Sequence, residues 1–394
     1  MKKVLIFSIL LLLGLAGSQV LPGFLTPAQL PTYQAGVKLL TMFCLGFIMI
    51  HVGYEFEIDK ARVGQYGKDY LIAATAAGFP WIFCALYFVL VMNPSSLWGD
   101  WTTWKESLLS SRFAAPTSAG ILFSMLAAAG LSATWVYRKA RILAIFDDLD
   151  TVLLMIPLKM MMVGLRWQLA VIVVIMAVLL YLAWRFLHRW RLPVAWPFVA
   201  LYAALVTGAC EALYLISLRI DDVVPIHIEV LLPAFVLGCI LARPPGAQPH
   251  ADDAREGHQE GPETPGEQRV STLISALFMV LVGLSMPAVA ELVGSGTWPG
   301  WGNVMLHVLV VTLLANLGKM FPLFCYRQEV DWRQRLALCI GMWPRGEVGA
   351  GVLVVSLSYG IGGAPIAVAM LSLALNLVLT GIFIVFVKRL LAKA

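Results

Sequence analysis

Apolar runs of bilayer length follow one another along almost the whole chain, at roughly 3–21, 34–54, 70–93, 105–129, 137–164, 168–188, 195–218, 226–243, 271–292, 302–326, 335–359 and 364–387. Lipid offers no hydrogen-bond partner to backbone N–H and C=O groups, so segments that cross it close their own bonds as helices. The expected fold is an all-α polytopic membrane protein with about twelve transmembrane helices. Composition agrees: 60% of residues are hydrophobic, 13% are charged and the mean hydropathy is +0.83, which excludes an ordinary soluble domain.

The basic residues give the orientation. With the N-terminus inside, the inner loops hold Lys60, Arg62 and Lys68; Arg138, Lys139 and Arg141; Arg189 and Arg191; Arg243, Arg255 and Arg269; Arg327, Arg333 and Arg335; and Lys388, Arg389 and Lys393. The outer loops carry mainly Lys105, Arg166 and Arg219. This asymmetry fits the positive-inside rule and predicts two cytoplasmic termini in a cell (inner) membrane. It also accounts for the net charge of +5 without any nucleic-acid partner. Met1-Lys-Lys, the following apolar run and Ala16-Gly17-Ser18 resemble a secretory signal, but the segment is expected to remain as the first helix. The six cysteines fall in apolar segments without a CxxC pair and are expected to be buried free thiols.

Between Pro244 and Arg269 the composition changes to Gly, Pro, Glu and Gln, the signature of a flexible acidic linker. Three parts follow: residues 1–243 with eight helices, a cytoplasmic linker at 244–270, and residues 271–394 with four. His250 and His258 in the linker are expected to be solvated rather than pH-sensing.

Within the fifth run, 137–164, stand Asp147, Asp148 and Asp150. Each charged side chain at a helix centre opposes insertion by roughly 2.5–3.5 kcal/mol, so three oppose it by about 7–10 kcal/mol. Intramembrane carboxylates mark ion or proton pathways. Asp147 and Asp150 lie one turn apart on neighbouring faces, with Asp148 off to one side. Adjacent carboxylates in a poorly solvated place repel, which creates a group able to trade a proton for a cation.

Two other segments look interrupted at mid-depth: Arg112-Phe-Ala-Ala-Pro116-Thr-Ser-Ala-Gly120 and Gly341-Met-Trp-Pro344-Arg-Gly-Glu-Val-Gly349. Proline removes a donor and clashes with the preceding turn, and glycine weakens the helix further. Such pairs of broken helices point to an inverted repeat around a midplane site, where free carbonyls and helix ends coordinate ions. Lys319 lies inside the tenth run, roughly 10 Å from its cytoplasmic end by helical rise. A Lys–Asp pair is the expected way to hold both charges in the membrane. Arg345 and Glu347 are expected to form a second, structural pair.

Other classes fit less well. Magnesium-dependent intramembrane prenyltransferases need two facing aspartate-rich sites, and this chain has one. An intramembrane aspartyl protease needs a second catalytic aspartate, but Asp221 and Asp222 fall in an expected outer loop. A channel would carry a repeated filter signature, which is absent. Sodium-coupled symport of the bile-acid type remains a transporter alternative.

Four motifs occur in order over nearly the whole chain: Gly46-Phe-Ile-Met-Ile-His-Val-Gly53-Tyr-Glu55-Phe-Glu57, Ala115-Pro-Thr117-Ser-Ala-Gly120, Phe146-Asp147-Asp148, and Pro344-Arg-Gly-Glu-Val-Gly349. Together they resemble the bacterial monovalent cation/proton antiporters of the sodium–proton exchanger superfamily. The resemblance implies a homodimer, each subunit with a scaffold domain and a six-helix core that moves elevator-like. It implies that Asp148 alternately binds cation and proton, that Asp147 pairs with Lys319 when the cation is absent, and that Thr117 offers an oxygen at the helix break. Ser118, Asp150, Arg345 and Glu347 would be accessory. It further implies electrogenic sodium–proton exchange, a role in pH homeostasis, and no cofactor or nucleotide. Two residues depart from the pattern: Asp150 is a third acid, and Arg112 is expected to put a positive charge on the outer approach.

Overall fold

Long apolar runs close their own backbone hydrogen bonds, and the computed structural model is accordingly helical, with no named strand among the described residues. It describes the whole chain except residues 1, 55, 57–62, 165, 221–225, 227, 243–264, 287–299 and 393–394. The helices are α1 (Lys2–Val20), α2 (Leu30–Tyr54), α3 (Val63–Tyr87), α4 (Trp101–Ser111), α5 (Ala119–Ala128), α6 (Trp135–Val163), α7 (Trp167–Arg185) and α8 (Trp196–Ile220). They continue with α9 (Leu231–Ile240), α10 (Pro265–Leu284), α11 (Trp301–Gly318), α12 (Trp332–Gly341), α13 (Glu347–Ser358) and α14 (Ala364–Leu391). Among the described residues eight helices are long and apolar enough to cross a membrane. His250 and His258 lie outside the described residues, as do Glu55 and Glu57 and most of the expected linker.

Three expected spans take a different form. The runs at 105–129 and 335–359 are each two short helices, α4–α5 and α12–α13, separated by non-α-helical backbone around Pro116 and Pro344. The run at 226–243 yields only the ten-residue α9, about 15 Å of helix. Pro233 is tolerated in the first turn of α9, and the helix ends where Leu241 takes extended backbone. The expected linker reached residue 270, but α10 already starts at Pro265, where a missing N–H leaves no helix bond unmade.

Contacts divide the chain into two units. The larger holds Met1–Val37, Arg62–Met162 and Met279–Ala394; the smaller holds Lys38–Ala61 and Val163–Phe278. Within the larger unit α3 packs on α4 and α11, and α14 packs on α1, α11 and α12. The core there is aliphatic and aromatic, with Phe88, Phe113, Leu122, Val311, Leu353 and Ile384 fully buried. All the interrupted helices and all three aspartates belong to this unit.

Within the smaller unit α9 packs on α7 and α8, and α2 crosses α9 at a glycine pair. A Cβ on Gly53 would overlap the Phe235 carbonyl oxygen, and one on Gly238 would overlap the Ile50 carbonyl oxygen. The backbones meet where side chains are missing, as membrane helices do when dispersion rather than hydrophobicity drives packing. His188 closes one end: its backbone N–H donates to the Cys239 carbonyl at 2.8 Å, and its ring nitrogens lie 3.0 Å from the Leu241 and 3.1 Å from the Phe56 carbonyl oxygens. Gly238→Leu is expected to destabilise the protein by about 1–3 kcal/mol through overpacking and so to lower the thermal midpoint of the purified protein. Gly208→Ala, which meets open space, is expected to leave the midpoint unchanged or slightly raised. Static light scattering or intrinsic-fluorescence melting in detergent compares them directly.

Candidate functional site

Each interruption leaves helix ends inside the protein, and the two interruptions are bonded to one another. The Thr117 hydroxyl donates to the Met342 carbonyl at 3.1 Å, and the Ser118 N–H donates to the Pro344 carbonyl at 3.0 Å. The Ser118 hydroxyl in turn caps α5 by accepting from the Ile121 N–H. Close approach depends on Gly346, where a Cβ would stand 2.9 Å from Ile121 Cδ1 and 3.3 Å from Ser118 Oγ. Backbone groups freed by the prolines are thus satisfied across the crossing rather than along a helix.

Asp147 on α6 faces this crossing with no exposed surface. Its Oδ2 accepts from Lys319 Nζ at 2.6 Å and from the Thr117 N–H at 2.8 Å. Lys319 is equally buried and caps the C-terminus of α11. The local helix ends favour both charges. The N-terminus of α5 presents positive potential to the carboxylate, and the C-terminus of α11 presents negative potential to the ammonium. Asp147 Oδ1 has no hydrogen-bond partner in the protein, so half of the carboxylate remains available. Asp148 is next to it and 6% exposed, and its charge also reaches Lys319. None of these acids stands at a wet helix mouth.

Asp150 is 5% exposed and associates with Arg112, not with Lys319. The expectation that Arg112 charges the outer approach is overturned, because its side chain is fully buried. Its Nη2 donates to the Asp150 carbonyl at 3.0 Å and lies 3.6 Å from Asp150 Oδ2, and the guanidinium rests over the Trp81 ring at 4.9 Å. The helical turn at 112–114 that precedes the break swings Arg112 inward to α6, a tertiary effect without a local sequence signal.

Arg345 is placed at the second break but is held by neutral acceptors. Nε donates to the Ala114 carbonyl at 2.8 Å, Nη1 to Asn316 Oδ1 at 2.6 Å and to the Trp343 carbonyl at 3.0 Å, and Nη2 to the Ala315 carbonyl at 2.7 Å. Asn376 on α14 bonds both the Arg345 N–H and Asn316. The expected partner Glu347 opens α13, and its side chain lies outside the described residues. The sequence reading assigned no role to Asn316 or Asn376. The available signal was two asparagines in apolar runs, one of them three residues before Lys319, where a polar side chain needs a partner.

A second buried charge cluster also lacked a sequence reading. Lys139, expected in an inner loop, lies inside α6, where Nζ is 3.2 Å from Asp69 Oδ2 and 3.3 Å from Glu329 Oε2. The Tyr326 hydroxyl donates to Asp69 at 2.8 Å. Burial, and then the Asp69 charge, push the proton affinity of Tyr326 up, which keeps it a donor. The cluster ties α3, the start of α6 and the turn after α11 at one end of the site-bearing helices.

Residues 3–391 match the family model described as "Sodium/hydrogen exchanger, transmembrane". The chain belongs to that family. Its fold resembles that of the sodium proton antiporter MjNhaP1 from Methanocaldococcus jannaschii, solved at pH 8, with a TM-score of 0.57 over 95% of this chain and 91% of that one at 14% identity. No curated protein matches the sequence. As a member of the exchanger family this is a multi-pass membrane protein for monovalent cation/proton antiport, a transporter and not an enzyme. The prenyltransferase and symport alternatives fall away on that assignment.

The Asp147–Lys319 contact predicts a marked stability effect. Lys319→Ala leaves a buried carboxylate without its cation and is expected to destabilise the exchanger by about 3–5 kcal/mol. Adding Asp147→Asn should recover much of the loss, because the uncompensated charge is then gone. Thermal midpoints of the two variants and wild type in detergent provide the test. A single variant that melts with wild type would show that the pair carries no buried charge.

Proposed function

We propose that this exchanger moves sodium inward or outward against protons by competition at Asp147 and Asp148. The observation that carries the reading is the fully buried Asp147–Lys319 pair, set against the ends of two interrupted helices. In the proton-loaded state Asp148 holds a proton and Lys319 is an ammonium paired with Asp147. A sodium ion needs oxygen ligands, which the two carboxylates, Thr117 and backbone carbonyls at the break supply. Its arrival replaces the lysine at Asp147 and displaces the proton from Asp148. The freed lysine releases a second proton, so two protons return for one sodium and the exchange is electrogenic.

Coupling requires that the site change sides only when it is occupied by sodium or by protons. A charged, empty site faces the full penalty of burying uncompensated carboxylate in lipid surroundings. Access alternates through an elevator-type movement of the helices that carry the site. Ser118 and Arg345 hold the break in shape, with Glu347 as an accessory acid at the start of α13. The protein works as a homodimer in the cell (inner) membrane with both termini cytoplasmic, and it serves pH homeostasis.

In proteoliposomes, sodium is expected to dissipate an imposed proton gradient, with lithium and potassium compared in parallel. Asp148→Asn should reduce the rate to that of empty vesicles. Lys319→Ala should exchange one proton per sodium and lose its dependence on an imposed voltage. A wild-type protein inert towards all three cations across the pH range would contradict the reading.

A further inference from the structure

The second charged pair at α6 has a feature that packing alone does not explain. Arg112 is wholly buried, yet its Nε and Nη1 make no hydrogen bond, and Asp150 Oδ2 accepts none either. The one guanidinium bond in this pair goes to the backbone carbonyl of Asp150, with the carboxylate itself 3.6 Å away. A structural arginine is normally saturated, as Arg345 is here with its four acceptors. What Arg112 contributes to Asp150 is chiefly charge at close range.

Asp150 lies one turn from Asp147 on the same helix, close enough for its charge to act on an ion held there. Its carboxylate is turned to the Arg112 guanidinium, which lies 3.6 Å from Oδ2, so Asp150 acts on that ion through its charge. The charged groups that act on it are Arg112 before the first break, Asp147 on its own helix and Lys319 after α11. The Asp150 charge also reaches Tyr70 on α3.

We propose that Arg112 is a specificity-determining residue whose fixed charge cancels Asp150, so that a third carboxylate adds nothing to the site's attraction for a divalent cation over a monovalent one. The inference rests on the reading of Asp147 and Asp148 as the ion-binding carboxylates. The electrostatic energy of an ion scales with its charge, so one uncancelled carboxylate nearby attracts a divalent cation twice as strongly as sodium. Removing Arg112 thus shifts the balance of the two ions and not merely the affinity for either.

The test measures sodium-driven proton movement in proteoliposomes of the full-length protein, with calcium titrated as inhibitor. Wild type, Arg112→Gln, Asp150→Asn, the double variant and Arg112→Lys are compared. Arg112→Gln is expected to become sensitive to calcium at roughly tenfold lower concentration than wild type, and the double variant should return to wild-type sensitivity. Arg112→Lys, which keeps the charge, should stay near wild type. Asp150→Asn leaves the arginine uncancelled and should raise the KM for sodium several-fold with little change in maximal rate. Equal calcium sensitivity in Arg112→Gln and wild type overturns the proposal, as does a double variant that stays sensitive. If Arg112→Gln does not fold, an unchanged sodium KM in Asp150→Asn overturns it independently. Failure of the underlying reading looks different, because exchange would then survive Asp148→Asn whatever residue stands at 112.

Discussion

A carboxylate and an ammonium held 2.6 Å apart with no exposed surface form the constraint around which the larger unit is organised. Neither charge is tolerable alone at that depth, and a buried pair gains only when its geometry and its remaining hydrogen bonds are good. The fold supplies both. The broken helix α4–α5 brings an N–H to the same carboxylate oxygen, and the ends of α5 and α11 put favourable potentials on the two partners. The prolines that break the helices are thus tied to the placement of the charge pair.

The second break serves the first. Thr117 and Ser118 bond to carbonyls of the opposing interruption, and Arg345 gathers Ala114, Ala315, Asn316 and Trp343 around one guanidinium. Through Asn316 this clamp reaches the last turn of the helix that ends at Lys319. Arg345 is thus bonded to the same last turn that ends at the Lys319 cap. Asp147 Oδ1 is left without a hydrogen-bond partner in the protein, the oxygen that the proposed competition would use.

Much of this was legible in the sequence because depth in a helix is arithmetic. Helical rise placed Lys319 and the aspartates at comparable levels, and Pro116 and Pro344 located the interruptions. What the sequence concealed depends on rotation between helices. Arg112 reads as an outward charge because the turn at 112–114 that directs it to Asp150 leaves no local pattern. Lys139 reads as a loop residue because its partners Asp69 and Tyr326 are distant in the chain. The short α9 leaves little trace in the sequence beyond Pro233, because the run around it is uniformly apolar.

The central claim is that a cation and protons compete for the same buried carboxylates. Calorimetric titration of sodium into the detergent-solubilised exchanger, repeated in buffers of different ionisation enthalpy, tests it without any transport assay. Heats that vary with the buffer, and correspond to proton release on binding that disappears in Asp148→Asn, are the predicted result. Sodium binding with a heat independent of the buffer would mean that no proton leaves when the ion arrives, and the account of exchange would fail.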